Sequence, residues 1–268
     1  MAETAPAETV RFAFGRNWRA YLASIDETKL QAAEDELRQQ LGGDLQGRTF
    51  LDIGSGSGIH SLAAQRLGAK AIVSFDYDAD SVACTQQMHQ RAGAPTSWQV
   101  LQGSVLDAEF LKQLGTFDVV YSWGVLHHTG AMWQAVDLAM HRCAGPGSLL
   151  LIGLYHKKLW LTPAVKHVKR AYSAGGPLRR GALLGGYVAA TLAYATARGQ
   201  LVRLVRNSPR RGMNAWHDLV DWVGGYPFEA ATPVEVVNFV ESRGFKLRQS
   251  ETFTSFAAVN TFLFEKKA

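Results

Sequence analysis

The chain has 268 residues, 47% of them hydrophobic and 19% charged. That length predicts one or two domains, and the apolar share excludes a disordered chain. Two cysteines, Cys84 and Cys143, exclude a disulfide scaffold and fit free thiols in a reducing compartment. The net charge of +5 is unevenly placed: residues 1–154 carry 11 Lys+Arg against 16 Asp+Glu, residues 217–268 carry 5 against 7, and residues 155–216 carry 12 with no acid.

The first six residues, MAETAP, lack the basic and apolar regions of a signal peptide, so a cytoplasmic protein is expected. Residues 11–21, RFAFGRNWRAY, are aromatic and basic and read as a helix or lid on the main body. Asp26 to Leu41 reads as a helix with Leu30, Ala33, Leu37 and Leu41 on one stripe, ended by Gly42 and Gly43. Strands and helices then alternate. Thr49–Ile53 is followed by a helix through Leu67, and Ala71–Phe75 by a helix over Asp80–Ala92. Trp98–Gln102 is a third strand, Asp118–Trp123 a fourth with a helix over Met132–Cys143, and Ser148–Tyr155 a fifth. Alternation of this kind predicts a parallel sheet covered by helices, and near-continuous apolar strands fit burial on both faces.

The basic block interrupts the pattern. One sign of charge attracts anions, whether phosphates, carboxylates, nucleic acid or a lipid surface; a solvated basic face is the plainer reading. Inside it, Gly181–Ala197 is a 17-residue stretch without charge, flanked by Arg180 and Arg198. Its Gly, Ala and Thr content favours a helix packed in a cap over a membrane span, with a membrane-surface helix as the other reading. The pattern resumes with a helix over Pro233–Ser242, opened by Thr232, then Phe245–Glu251 and Val259–Glu265, two runs with no helix between them that predict an antiparallel hairpin.

Chemistry concentrates at four places. Leu51 to Gly58 reads LDIGSGSG after the first strand and opens a helix. Its glycines permit a tight turn and close backbone approach, and the helix start presents free N–H groups. The dinucleotide fingerprint fails, because Ile59 takes its third glycine position, and the P-loop Gly-Lys-Ser/Thr is missing. Asp76 ends the second strand, where an acid can accept both ribose hydroxyls. Gly103 to Asp107, GSVLD, follows the third strand. Phe117 to Thr129, FDVVYSWGVLHHT, forms the fourth strand and its exit loop.

This ordered set resembles the class I S-adenosylmethionine-dependent methyltransferases, most nearly the small-molecule branch that includes the quinone-biosynthesis methylases. The likeness covers about residues 49–155 and 230–265. It implies an α/β, Rossmann-like doubly wound sheet of seven strands with the last antiparallel, here with a helical basic insertion after the fifth strand. It implies S-adenosyl-L-methionine as cofactor and no metal. Residue by residue, Asp52, Gly54, Ser55, Gly56 and Gly58 resemble the loop and acid around the methionine part. Asp76 resembles the ribose acid, Tyr77 would pack near the adenine, Ser104 and Val105 resemble the adenine-edge pair, and Ser122 would sit beside the methionine end. The expected organisation is an N-terminal helical lid (1–45), the cofactor-binding core (46–155), a basic cap on the substrate side (156–230), and the end of the core (231–268).

An activated methyl asks the protein mainly for positioning, with a base for some acceptors. His127 and His128, on the loop leaving the fourth strand, are the candidate bases; a purely structural histidine is the competing reading. Trp18 and Tyr21 are candidates to close over the cofactor, unless Phe12, Phe14 and Trp18 simply anchor the tail. Tyr155, ending the fifth strand, and His217, beside Asp218 and Asp221, are candidates for the substrate side. His60, His89 and His141 fall in helix patterns and read as structural. The expected function is methyl transfer to a small-molecule acceptor, anionic or amphipathic, with membrane-surface contact through 157–211. The alternative is an RNA methyltransferase using the basic insertion for phosphate contacts. Against nucleic acid, the exit loop SWGV, from Ser122, lacks the Asp/Asn-Pro-Pro-aromatic signature of base-amino methylases.

Overall fold

The computed structural model describes residue 12 and residues 14–158, 161–199, 215–253 and 258–268, apart from the side chains of 16, 20, 195, 215–218 and 221. Five apolar runs form β1 (Thr49–Ile53), β2 (Ala71–Asp76), β3 (Trp98–Gln102), β4 (Val119–Trp123) and β5 (Leu149–Tyr155). They pair in parallel in the order 3-2-1-4-5. The closing hairpin, β6 (Phe245–Glu251) and β7 (Val259–Lys266), inserts β7 antiparallel beside β5, with β6 outside it, so the seven-stranded order is 3-2-1-4-5-7-6.

Helices α1 (Gly15–Leu22), α2 (Glu27–Leu41), α3 (Ile59–Arg66), α4 (Ala79–Arg91), α5 (Ala108–Gln113) and α6 (Met132–Met140) precede β5. Then come α7 (Leu161–Ser173), α8 (Pro177–Ala197), α9 (Ala215–Gly224) and α10 (Pro233–Glu241). Local chemistry sets several of their ends. Asp26 accepts the Lys29 N–H at the start of α2, and Gly42 closes that helix at φ 74°. Thr232 and Glu235 form a reciprocal capping box on α10. The helix expected to reach Cys143 stops at Met140, because residue 143 instead forms a parallel bridge with Phe117.

The chain divides into two compact units, one of Phe14–Lys158 with Glu229–Ala268, the other of Met1–Ala13 with Leu159–Phe228. From Phe14 onward, the segment expected as an N-terminal lid therefore groups with the sheet. The first unit's core joins Leu51, Ile53, Val120 and Ile152 of the strands to Ala135 and Val136 of α6 and Val240 of α10. Each such Leu, Ile or Val side chain contributes roughly 1.5–3 kcal/mol when fully buried. In the second unit, Tyr172, Leu184 and Val223 join α7, α8 and α9, with Phe12 packed against them. Lys169 is buried there, its ammonium donating to the Trp222 carbonyl and lying over the rings of Trp222 and Phe228.

β1 is flanked by β2 on one side and β4 on the other. The chain departs in opposite directions from β1 and β4, so their carboxyl ends open on one crevice, the place where doubly wound sheets hold ligands.

Candidate active site

The turn after β1 is built for close approach. Gly54, Gly56 and Gly58 stand at φ 77°, 55° and 76°. A Cβ on Gly54 would lie 2.5 Å from both methyls of Val125 in the loop after β4. The Gly54 and Ser55 N–H groups both donate to the Phe75 carbonyl, at 2.8 and 3.1 Å. Buried Thr85 of α4 braces the loop by donating to the Gly56 carbonyl (3.1 Å), so the Ser55 hydroxyl, 2.9 Å from Thr85 Oγ1, donates to it in turn.

Two carboxylates flank the loop. Asp76 Oδ2 accepts the Gly56 N–H at 3.0 Å and Oδ1 the Asp78 N–H at 2.9 Å, and the Tyr77 N–H donates to the same carboxyl, which leaves acceptor capacity for a further donor. Burial pushes its carboxyl up to about 6, against the pull of those backbone donors. Asp78, not Asp76, caps α4 by accepting from Asp80 and Ser81. Asp52 is buried, and its Oδ2 accepts from Ser61 Oγ at 2.5 Å. Ser61 Oγ is also 2.6 Å from Ser74 Oγ, which lies 2.8 Å from Trp98 Nε1. Indole N–H can only donate and carboxylate can only accept, so the wire runs Trp98 to Ser74 to Ser61 to Asp52. Burial pushes the Asp52 carboxyl up to about 7; the Ser61 hydrogen bond opposes that rise and the Asp76 charge adds to it.

Helix α1 lies against this machinery. The Gly15 N–H reaches Asp78 Oδ2 at 3.4 Å, and the Arg19 guanidinium meets Asp80 at 2.5 Å. The Trp18 ring abuts the loop: a Cβ on Gly56 would lie 2.9 Å from Trp18 Cε2. Tyr21, the other expected lid aromatic, is buried with its ring centroid 5.9 Å from that of Trp18, so it backs Trp18.

Towards the adenine side expected from sequence, Tyr77 is 59% exposed beside Asp76, Val105 is buried, and half-buried Ser104 accepts the Leu106 N–H. Ser122 is fully buried and donates to the Ile53 carbonyl at 3.0 Å. Its hydroxyl therefore ties β4 to β1 just ahead of Gly54. After β4, Leu126–His128 forms a 3-10 turn. His127 is 0% exposed, packed 4.1 Å from the Tyr155 ring centroid, with its carbonyl accepting from the Glu229 N–H. His128 is half-buried, its ring 5.0 Å from Phe14 and 5.6 Å from Tyr155. Glu229 also caps α6, its Oε2 accepting the Met132 N–H. The sheet thus gathers Asp52, the three loop glycines, Asp76, Trp18 and the His128 turn along the carboxyl ends of β1, β2 and β4. His217 falls on α9, its side chain outside the described residues. No group of three His, Cys, Asp or Glu side chains is placed to hold a metal among the described residues.

Ser61, Ser74, Thr85 and Trp98 were not candidates from sequence. A signal was present for two of them: Ser61 interrupts the apolar face of α3 and Ser74 interrupts β2, and a polar residue in a buried run needs a partner.

Residues 51–152 match a family model described as a methyltransferase domain. Among curated proteins the chain is 28% identical over 145 residues to the ribosomal protein L11 methyltransferase of Alteromonas mediterranea, covering 51% of this chain and 42% of the relative. It is 38% identical over 84 residues to the tRNA U34 carboxymethyltransferase of Pseudoalteromonas translucida, covering 31% and 25%. The chain thus spans less than half the length of either relative. Among solved structures, the magnesium protoporphyrin IX methyltransferase of Synechocystis PCC 6803 aligns with 94% of each chain at TM-score 0.57 and 15% identity. An O-methyltransferase family protein from Burkholderia thailandensis aligns with 94% of this chain and 60% of its own at TM-score 0.58 and 12% identity. Residues 51–152 thus match a methyltransferase domain, carried on the sheet fold shared with a methyltransferase solved with the product of S-adenosylmethionine bound. The residues of this chain fit that cofactor: the glycine cradle admits no Cβ at Gly54, and Asp76 keeps acceptor capacity at the end of β2.

Proposed function

We propose that this chain transfers a methyl group from S-adenosylmethionine to a small-molecule acceptor that is anionic or amphipathic. The single observation that carries the reading is the pairing of the Gly54–Gly58 turn with the Asp76 carboxylate across a 3.0 Å hydrogen bond. That pairing sets backbone N–H groups and an acid side by side for an adenosyl group bearing an amino acid. The bound cofactor supplies a methyl already activated on a sulfonium. The protein has to hold it, exclude water and admit an acceptor in line. Asp52 and the loop hold the amino-acid end, Asp76 the ribose, with Tyr77, Ser104 and Val105 around the base. Trp18 covers the loop from the α1 side. Where the acceptor must lose a proton, His128 takes it, since His127 is sealed behind it.

A small anionic acceptor is favoured by the all-basic composition of 155–216 and by neighbours of the same fold whose names give porphyrin and O-methyl acceptors. The likeness to the ribosomal-protein and tRNA enzymes runs along parts of the chain only, 145 and 84 residues. The two free cysteines support a reducing compartment, such as the cytoplasm. Isothermal titration with S-adenosylmethionine and its demethylated product tests the cofactor, and no heat at about 1 mM ligand overturns it. Methyl-labelled cofactor incubated with fractionated cell extract tests the acceptor. Label in the small-molecule fraction supports the proposal, and label in RNA or protein replaces it.

A further inference from the structure

Helix α8 is 21 residues long, and no charge occurs from Gly181 to Ala197. One stripe packs inward: Leu184 is buried against Tyr172 and Val223, with Leu183 and Tyr187 beside it. Most of the remaining surface faces water. Leu178 is 92% exposed, Tyr194 60% and Leu192 44%, and the exposed positions Gly181, Ala182, Gly185, Gly186, Ala189 and Ala193 are all glycine or alanine. A helix face standing in water ordinarily carries charged and polar side chains; from Gly181 to Ala197 this one carries no charge, and its exposed polar side chains are Tyr194 and Thr196. The charges stand at its ends and on the neighbouring helix. Arg179 and Arg198 border it, and Lys166 and Arg170 are exposed on α7. Residues 155–216 contain no carboxylate to neutralise them.

We propose that this face of α8, with Arg179 and Arg198 at its ends and the exposed Lys166 and Arg170 of α7 in the same unit, docks reversibly on a membrane surface rich in anionic lipid. An uncharged face bracketed by cations is the signature of a helix lying in the interface plane. Spanning is not the mode, since no helix among the described residues is long and apolar enough to cross a membrane. The glycine and alanine content makes the apolar grip weak, so the charges carry much of the attraction, about fivefold in partition for each Lys or Arg near the surface. An RNA backbone would meet the cations but gain nothing from Leu178 and Leu192. A second copy could lay small residues against small residues, yet it would bring like charges together around the whole face.

Docking of this kind does not depend on the methyltransferase reading, and a cofactor titration reports on that separately. The test is flotation of the full chain with phosphatidylcholine vesicles, alone or with about one third phosphatidylglycerol. Expected are binding to the anionic vesicles at least about tenfold above the neutral ones and its loss as salt screens the surface. Arg179→Glu should lower partition about tenfold. Leu178→Ser combined with Leu192→Ser should lower it severalfold, and circular dichroism and cofactor binding of both variants should stay unchanged. Equal partition onto the two vesicles, or none at low salt, overturns the proposal. So does full vesicle binding by the double leucine variant, which would leave charge as the whole cause. Retention of transfer RNA in place of vesicles would assign the cations to nucleic acid. A dimer by light scattering that Leu178→Ser dissociates would assign the face to a second copy.

Discussion

The Ser61 hydroxyl donates a 2.5 Å hydrogen bond to Asp52, and through it the first strand's acid is tied to Ser74 on β2 and Trp98 on β3. Four side chains from β1, α3, β2 and β3 thus share one directed wire that ends on a carboxylate beside the glycine turn. The wire favours the charged acid, burial disfavours it, and burial prevails, leaving Asp52 at about 7.

Asp52 therefore opposes folding at neutral pH. Its carboxyl ordinarily titrates near 3.8 and is raised to about 7 in the fold, so the folded chain holds a proton that the unfolded chain has released between those values. Stability falls as pH rises through that window. Asp52→Asn should raise stability relative to the parent by about 2–4 kcal/mol at pH 8 and by little near pH 4, while abolishing tight cofactor binding. Thermal melts of both proteins across this range check it. A constant difference in melting temperature at all pH values would show that Asp52 is not the buried titrating group.

Removing a donor from the wire should move the same titration. Ser61→Ala takes away the hydrogen bond that opposes the rise, so Asp52 climbs further. Cofactor affinity should drop about tenfold at pH 7 and recover at pH 9, where the acid ionises regardless. Trp98→Phe acts two links away and should cost about 1–2 kcal/mol of stability by leaving Ser74 short of a donor, with a smaller change in affinity. Titration calorimetry at the two pH values separates a positioning role from simple destabilisation, because a damaged fold would not recover at high pH.

Much of this architecture was legible in the chain. β1 and β3 begin and end where apolar runs and punctuation place them, at Thr49–Ile53 and Trp98–Gln102, because Gly47 and Gly54 bracket the first and Pro95 and Gly103 the second. The glycine turn and Asp76 were readable because backbone conformation and strand ends dictate residue type. The wire was not, since Ser61, Ser74 and Trp98 meet only through the register of β2 with β3 and the packing of α3. Ser122 reads as a ligand-facing hydroxyl until β4 is set beside β1, where it turns to the Ile53 carbonyl. The histidine pair looks symmetric in sequence, and only the 3-10 turn decides which member is sealed.

The contact of Trp18 with Gly56 predicts a coupled pair. Gly56→Ala places a methyl 2.9 Å from Trp18 Cε2 at φ 55°. It should cost about 1–2 kcal/mol for the left-handed backbone and displace the ring besides. Trp18→Ala alone should speed cofactor release by uncovering the turn. In the double variant the clash with the indole is gone, so the two changes should couple by about 1 kcal/mol in the favourable direction. A double-mutant cycle on cofactor dissociation constants measures this. Strict additivity would mean that α1 leaves the turn once ligand enters.

The two histidines should separate into a stability role and a chemical role. His127 is fully enclosed against Tyr155 and His128, so His127→Ala opens a cavity and should destabilise by about 2–4 kcal/mol, with the surviving folded fraction still turning over. His128 stands half-buried against Phe14 and is, on the proposed reading, the base. His128→Gln keeps the polarity and removes the titration. On an acceptor that must be deprotonated, kcat should fall about 10²–10⁴-fold and the acid limb of the pH–rate profile near the histidine range should vanish, with stability little changed. On a carboxylate acceptor the same substitution should leave kcat within severalfold. A profile whose acid limb survives in His128→Gln would move the base elsewhere and leave both histidines as pocket walls.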